Sequence, residues 1–530
     1  MSPDTSIVLA QINPILGDLQ GNADKIAAAC KAHKTAKLVI FPELSICGYP
    51  PEDLVLKPSF TQACMRQVKD LATRTKDLDC AILVGSPWRE DDGAPLPYNA
   101  AIWLHRGQIM AVRYKHDLPN YGVFDEKRTF LSGPLPDPVE FDGQRYGVMI
   151  CEDMWNERVA LHLKQKGAEI LIVPNGSPFT TEKFAVRMNI ARQRASETGL
   201  PLIYVNQVGG QDELVFDGGS FALEGDGRIK TQLPFFEQCV QPAQQNSRHD
   251  HSAEDLTYNA LKLGLGDYVR KNGFSGVIIG LSGGIDSALT ATLAVDALGA
   301  KNVHCVMLPS VFTSQDSLDD AQTLARNLGV KLDTISIKAP LEAFENSLDG
   351  LQGLAHENIQ SRIRGTILMA LSNAEGKMLL TTGNKSEMAV GYATIYGDMN
   401  GGFNALKDVY KTQVFDLCRW RNKDGEVIPD SIITKPPTAE LRENQTDQDS
   451  LPPYPILDGI LSMLIEGEAA LDDVCAHDAY DRDTVLKIWG LLDRAEYKRY
   501  QSPPGTKITT KAFGRDRRYP MTNHFVKNID

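Results

Sequence analysis

Three apolar runs in the first half of the chain end on residues that can attack a carbonyl or move a proton. LVIFPEL carries Glu43 just past its run, MAVRYKHDLPN carries Lys115, and YGVMICEDMW carries Cys151. A buried strand ending in Cys-Glu-Asp sets a thiol at the rim of a sheet, where active sites collect. Cysteine catalysis needs a thiolate, a base for its proton and a stabiliser for the oxyanion. Glu43 is suited to take the thiol proton. Lys115 is suited to lower the thiol pKa and to hold the oxyanion with its ammonium, and the backbone N–H of Glu152 offers a second donor. The set needs no histidine. Taken singly, each residue has a plainer reading: a core thiol, a solvated lysine, a capping glutamate.

The second half holds a different chemistry, in VIIGLSGGIDSALTATLA at residues 277–294. An apolar strand runs into a loop, Gly280, Leu281, Ser282, Gly283, Gly284 and Ile285, and a helix starts near Asp286 and Ser287. Glycines let backbone approach a phosphate, and a helix N-terminus supplies free N–H groups and a favourable dipole. Ser282 and Ser287 add hydroxyls. Asp286 would repel phosphate unless Mg²⁺ lay between them, so it is a metal-ligand candidate. The loop is neither GxxxxGK[ST] nor GxGxxG. Downstream, HENIQSRIRG sets Asn358, Arg362 and Arg364 on a helix. LLTTGNKSEMAVGYATIYGD runs as a strand to a turn at Gly383-Asn384, offering Thr382 to a nucleotide and Glu387 as a second acid. The tail, with EYKRYQSPPGTK and FGRDRRYP, is basic for an acidic protein and reads equally as a solvated face or an anion contact.

These residues need strands to carry them. Short apolar runs at Ile7–Ile12, Leu38–Phe41, Ala81–Gly85, Gly147–Cys151, Ile170–Pro174 and Leu202–Asn206 alternate with helical spacing at Gly21–Ala36, Phe60–Thr75 and Thr181–Thr198. Tyr98–Lys115 reads as a hairpin turning at Arg106-Gly107. Glu237–Ser252 is polar and weakly periodic, the pattern of a linker, so the expected domains are 1–245 and 246–530. After it the pattern is a helix over Ala253–Lys271, then β-α-β-α-β through Ile337, which argues for a doubly wound parallel sheet. Lys435–Pro453, rich in Pro, Thr, Asn and Gln, reads as a mobile segment.

Bulk properties exclude some partners. A net charge of -13 over 530 residues argues against a general nucleic-acid or membrane-surface binder. No apolar run approaches the ~18–20 residues of a membrane span. The N-terminal residues lack the basic and apolar regions of a signal peptide, and nine scattered cysteines fit a reduced, cytoplasmic setting.

The Glu-Lys-Cys order resembles the nitrilase (carbon–nitrogen hydrolase) superfamily over about residues 5–235, with Glu43, Lys115 and Cys151 as the triad. That resemblance implies a four-layer α-β-β-α sandwich and hydrolysis through a covalent thioester. It makes Glu126, in YGVFDEKRTF, a candidate supporting acid. Glutamine would need partners for its α-amino and α-carboxylate groups, and Tyr121, Ser177 and Lys183 are the candidates. SGGIDS looks like the PP-loop of the ATP pyrophosphatases, enzymes with a Rossmann-like sheet that split ATP between the α and β phosphates. With the downstream motifs, the second half resembles the NAD synthetase family, and the whole chain resembles its glutamine-dependent members. This resemblance implies an α/β enzyme that amidates deamido-NAD with ATP as co-substrate and ammonia from glutamine. It carries over Gly280–Ser287 and Thr382 to ATP, Asn358, Glu387 and Lys498 to deamido-NAD, and Asp286 and Glu387 to Mg²⁺. It also implies small-molecule substrates, no nucleic-acid or membrane partner, and a homo-oligomer. Two rivals remain at this point: another PP-loop amidotransferase, and a nitrilase-type amidase whose second half only senses nucleotide.

Overall fold

The computed structural model describes residues 7–90, 93–244, 251–443 and 445–523. The chain divides into two compact units, Met1–His251 and Ser252–Asp530.

The first unit is built on β1 (Ile7–Gln11), β2 (Leu38–Ile40), β3 (Ala81–Trp88), β4 (Tyr98–His105), β5 (Gln108–Tyr114), β6 (Val139–Phe141), β7 (Gln144–Val148), β8 (Ile170–Asn175), β9 (Leu202–Asn206), β10 (Val208–Gln211), β11 (Leu214–Asp217), β12 (Phe221–Leu223), β13 (Ile229–Gln232) and β14 (Cys239–Pro242). Two six-stranded sheets form, β14-β1-β2-β3-β4-β5 and β13-β12-β9-β8-β7-β6. Side chains alternate between the faces of each strand, so one apolar run feeds two layers. Ile7 and Leu9 meet Val148, Ile172, Ile203 and Val205 between the sheets. Val8 and Ala10 face Ile26, Val68 and Leu71 of the helices Leu19–Ala32 and Pro58–Arg74. Across the unit, Leu171 and Val173 face Val159, Leu163 and Met188 of Glu157–Gln165 and Lys183–Thr198. This is the expected α-β-β-α order.

The β4–β5 hairpin turns at Arg106 (φ 46°) and Gly107 (φ 81°). Two positive φ values match the right-handed twist of the flanking strands. The segment expected as a linker is partly strand: β14 pairs antiparallel with β1, Gln11 opposite Cys239. It sits at a sheet edge with little buried surface, so it has no apolar run to announce it. Residues 245–250, where the domain boundary was expected, lie outside the described residues.

The second unit holds β15 (Val277–Gly280), β16 (Val303–Met307), β17 (Lys331–Thr334), β18 (Met378–Thr381) and β19 (Phe403–Asn404), all parallel, in the order β17-β16-β15-β18-β19. Successive crossovers run outward from β15, and the chain then returns to β18 on its other side. Such a switch point opens a crevice at the carboxyl ends of the strands. On one face Ile278, Val306 and Leu379 pack on Leu341 and Ile363. The helices Lys385–Val390, Tyr454–Ile465 and Arg482–Arg494 form a further core around Leu457, Leu461 and Ile488. The described residues of Lys435–Pro453, expected to be mobile, are tied down. Lys435 Nζ donates to Asp320 Oδ2 (3.1 Å), Gln360 Nε2 to the Leu441 carbonyl (3.0 Å) and Tyr454 Oη to Asp447 Oδ2 (2.6 Å). Polar side chains, not an apolar stripe, order it. Among the described residues no helix is long and apolar enough to cross a membrane.

Candidate active sites

In the first unit, strands of both sheets deliver the expected triad. Glu43 follows β2, Lys115 follows β5 and Cys151 follows β7. All three are buried. Lys115 Nζ donates to Glu43 Oε1 at 2.7 Å and to Glu126 Oε1 at 2.9 Å. Glu126 thus joins the cluster, and Tyr49 Oη donates to it at 2.8 Å. Glu43 accepts three bonds in all, with Asn99 Nδ2 on Oε1 (2.7 Å) and the Gly176 N–H on Oε2 (2.9 Å). A carboxylate fixed at both oxygens is held in one orientation.

The electrostatics follow from burial and neighbours. Burial works against the Lys115 charge, but Glu126 and Glu43 outweigh it and hold the ammonium well above the ordinary lysine range. Burial pushes Glu126 up to about 7, against the pull of Lys115. Burial also raises the Cys151 thiol well above its ordinary value, with Glu43 adding to the rise and Lys115 opposing it. The direction favours the thiol form, and any attack by this sulfur would call on an adjacent base.

Cys151 has φ 47°, in the left-handed region. The turn that imposes this is pinned by Asp153. Its Oδ2 accepts the Ile150 N–H (2.8 Å), and its Oδ1 accepts the N–H groups of His116 (2.9 Å) and Asp117 (2.7 Å). The Cys151 turn and the segment after Lys115 are one hydrogen-bonded block.

The three expected glutamine contacts surround this block. Tyr121, half exposed, donates its hydroxyl to Glu152 Oε2 at 2.9 Å. Lys183 Nζ lies 4.1 Å from the centre of the Trp155 ring. Ser177 is buried one residue after Gly176, with its N–H donated to Asn206 Oδ1 at 3.0 Å. Asn99, Asn206 and the side-chain role of Glu152 escaped the sequence reading. Asn206 ends a strand that was legible, but a strand-end Asn carries no signal of its own.

In the second unit, the crevice beside β15 holds a cavity of about 300 Å³. Gly280, Leu281, Ser282, Gly284, Ile285, Asp286, Ser287, Thr382 and Glu387 line it, as expected; Gly283 does not. Gly283 has φ 81°, and a Cβ there would lie 2.3 Å from the Ser317 carbonyl oxygen, so its part is to let the loop pass. Gly284 caps the helix Ile285–Leu298. Ser282 Oγ accepts the Gly284 N–H at 3.2 Å and lies 3.1 Å from Ser287 Oγ.

The two expected metal carboxylates converge on one cation that the sequence reading missed. Lys411 Nζ donates to Asp286 Oδ2 at 2.5 Å and to Glu387 Oε1 at 3.1 Å. Asn384 Nδ2 donates to the other Asp286 oxygen at 2.9 Å. Burial pushes Glu387 up to about 8, with Lys411 opposing and Asp286 and Asp447 reinforcing. Burial works against the Lys411 charge, and Asp286 and Glu387 outweigh it. Among the described residues no group of three or more His, Cys, Asp or Glu could hold a metal by itself. Asp286 and Glu387 are hard oxygen donors of the kind Mg²⁺ takes one or two at a time, and here both pair with the Lys411 ammonium.

Arg364 lines the cavity, donates Nε to the Leu308 carbonyl at 2.9 Å and is pushed down to about 10 by burial, with Glu440 opposing. Glu440, on the segment expected to be mobile, accepts from Ser314 Oγ (2.7 Å) and Ser317 Oγ (2.8 Å) at the start of the helix Gln315–Leu328. Asn358 and Lys498 do not line the cavity. Asn358 Oδ1 accepts from Thr394 Oγ1 (2.9 Å), and Lys498 Nζ donates to the carbonyls of Gly391 and Ala393 (2.8 Å each). Both hold the segment that carries Tyr392, Gly397 and Asp398 to the cavity wall. The basic tail is largely structural: Arg499 and Arg517 both pair with Glu496.

Comparison with known proteins sets these sites in context. Residues 7–247 match the family described as carbon-nitrogen hydrolase, and residues 257–502 match NAD synthase. The chain is 51% identical to the glutamine-dependent NAD(+) synthetase of Rhodobacter capsulatus, over 98% of each chain. It is 46% identical to that of Xanthomonas campestris pv. campestris, over 98% of this chain and 97% of the relative. Among solved structures, the glutamine-dependent NAD+ synthetase of Acinetobacter baumannii, in complex with ADP, matches with TM-score 0.77 and 40% identity over 99% of each chain.

Proposed function

The chain belongs to the glutamine-dependent NAD(+) synthetase family, and from that premise we propose how its residues divide the reaction. The enzyme is an ATP-dependent ligase that amidates deamido-NAD and takes the nitrogen from glutamine. Glu43 takes the Cys151 proton, and the sulfur attacks the glutamine side-chain amide carbon. Lys115 faces the oxyanion; ammonia leaves, and water then releases glutamate from the thioester. Tyr121, Ser177 and Lys183 hold the glutamine. Glu152, bonded to Tyr121, supplies the carboxylate that an α-ammonium needs.

Gly280, Leu281, Ser282, Gly284, Ile285, Asp286, Ser287, Thr382 and Lys411 hold the ATP phosphates, and Glu387 serves the deamido-NAD side, with Asn358 and Lys498 acting through the segment they hold against the cavity. Asp286 and Glu387 would hold Mg²⁺, which when bound neutralises phosphate charge. The nicotinate carboxylate attacks the α-phosphorus, pyrophosphate leaves, and ammonia displaces AMP from the adenylate. The amidase is assigned to residues 1–245 and the synthetase to 246–530, in a cytoplasmic homo-oligomer.

The observation that carries this reading is the buried Glu43–Lys115–Glu126 cluster among the residues that set the Cys151 thiol. Cys151→Ala is expected to abolish glutamine-driven NAD formation and to leave ammonium-driven formation within about twofold of the parent. Loss of both activities, with the fold intact by circular dichroism, would refute the division of labour.

A further inference from the structure

Beneath the Ser177 turn lies a buried polar network that none of the steps above uses. Asn206 ends β9 beside Asn175 of β8. Its Oδ1 accepts the Ser177 N–H at 3.0 Å, and its Nδ2 faces the Ser177 carbonyl at 3.2 Å. The amide therefore grips both backbone polar groups of one residue, as a neighbouring strand would. Nδ2 also faces Asp217 Oδ1 and the Gly218 carbonyl, each at 3.2 Å. One oxygen facing a donor and one nitrogen facing acceptors leave a single orientation for this side chain.

The grip is itself anchored. The Asn206 N–H donates to Ser220 Oγ at 3.0 Å, and Ser220 Oγ donates to Gln11 Oε1 of β1 at 2.8 Å. Asp217 is held by Arg187 Nη2, at 2.8 and 2.9 Å to its two oxygens. Asn206, Asp217 and Arg187 are all buried. A buried ion pair is costly to desolvate, and a core needs none for stability alone. This one fixes the oxygen that orients Asn206.

The output of the network is the residue before Ser177. Gly176 donates its N–H to Glu43 Oε2 at 2.9 Å. A Cβ on Gly176 would meet the Tyr49 ring at 2.8 Å, so the turn has no room to drift on that side. We infer that Asn206, set by the Arg187–Asp217 pair, is a positioning residue for the glutaminase half-reaction. It fixes the 175–177 turn so that one backbone N–H aims the base Glu43 at the thiol. The inference rests on the assignment of Glu43 and Cys151 as base and nucleophile.

The test measures kcat and KM for glutamine, and ammonium-driven turnover, in the full-length enzyme. The variants are Asn206→Ala, Asn206→Ser and Cys151→Ala, and the pH profile of kcat is recorded for each active one. Asn206→Ala and Asn206→Ser each remove the donor that faces the Ser177 carbonyl. Each is expected to lower kcat with glutamine about tenfold to a hundredfold, with a smaller rise in KM because Ser177 lies on the same turn, and with ammonium-driven turnover unchanged. The pH profile of the remaining glutamine turnover should shift, since the orientation of the base has changed. A purely structural role would lower stability and leave that profile in place. Variants within twofold of the parent would overturn the inference, as would an unshifted pH profile. If Asn206→Ala does not fold, Asn206→Ser still decides. Glutamine-driven turnover surviving in Cys151→Ala would instead remove the underlying assignment.

Discussion

The two sites treat buried charge in opposite ways. In the first unit Glu43 and Glu126 share the Lys115 ammonium, and Asn99 and Gly176 donate to Glu43 while Tyr49 donates to Glu126. In the second, charge lines an open cavity and is only partly matched. Lys411 faces two acids, while Arg364 bonds a carbonyl and has no direct carboxylate partner among the described residues. The contrast follows from the substrates. Glutamine brings no net charge to its reacting amide, so a covalent site can complete its own field in advance. ATP and a dinucleotide bring several negative charges, so their site keeps cations and backbone N–H groups in reserve.

The contrast can be broken by removing one charge from each site. Asp286→Ala takes an acid from the open site. It is expected to lower AMP formation by about a thousandfold, on the scale of losing a preorganised electrostatic contact, with little change in melting temperature. Chelating divalent ions should likewise stop AMP formation while glutamine hydrolysis remains measurable. Lys115→Met takes the cation from the closed site and leaves two buried carboxylates facing each other. It should destabilise the first unit by about 3–5 kcal/mol, read by denaturant unfolding. Equal stability losses in the two variants would show that the sites are not built differently.

Two smaller effects sharpen the point. Glu126→Gln keeps the shape and removes one charge from Lys115, and should slow glutamine turnover roughly 10–100-fold without touching ammonium-driven activity. Glu387 is raised to about 8 from an ordinary 4.5. A raised acid favours folding while it is protonated, so its contribution is complete below about pH 4.5 and fades as pH rises towards 8. Glu387→Gln in the ligand-free enzyme should flatten the fall of melting temperature over that interval. An unchanged slope would mean that Lys411 already neutralises the carboxylate.

Legibility in the sequence followed the range of the interactions. The strands of both units were visible because alternation and apolar runs are local, and the Arg106-Gly107 turn because it is two residues long. Glu43, Lys115 and Cys151 each sit at the end of such a run. Lys411 was invisible: 125 residues separate it from Asp286, and DVYKTQ has no pattern of its own. Asn99 and Asn206 act through neighbours that only the sheet order supplies. β14 and Lys435–Pro453 were misread for one physical reason. Edge pairing and polar side-chain ties hold them, and neither leaves a hydrophobic period.

The positive φ of Cys151 has a consequence beyond chemistry. A branched or ordinary side chain in that region costs about 1–3 kcal/mol, and glycine relieves most of it. The residue proposed to attack the substrate is thus one its own backbone disfavours. In a lineage that fed on ambient ammonia and no longer needed glutamine, drift would meet no resistance at position 151. Glycine there would be rewarded for its fit alone, and the amidase would fall silent by becoming more comfortable.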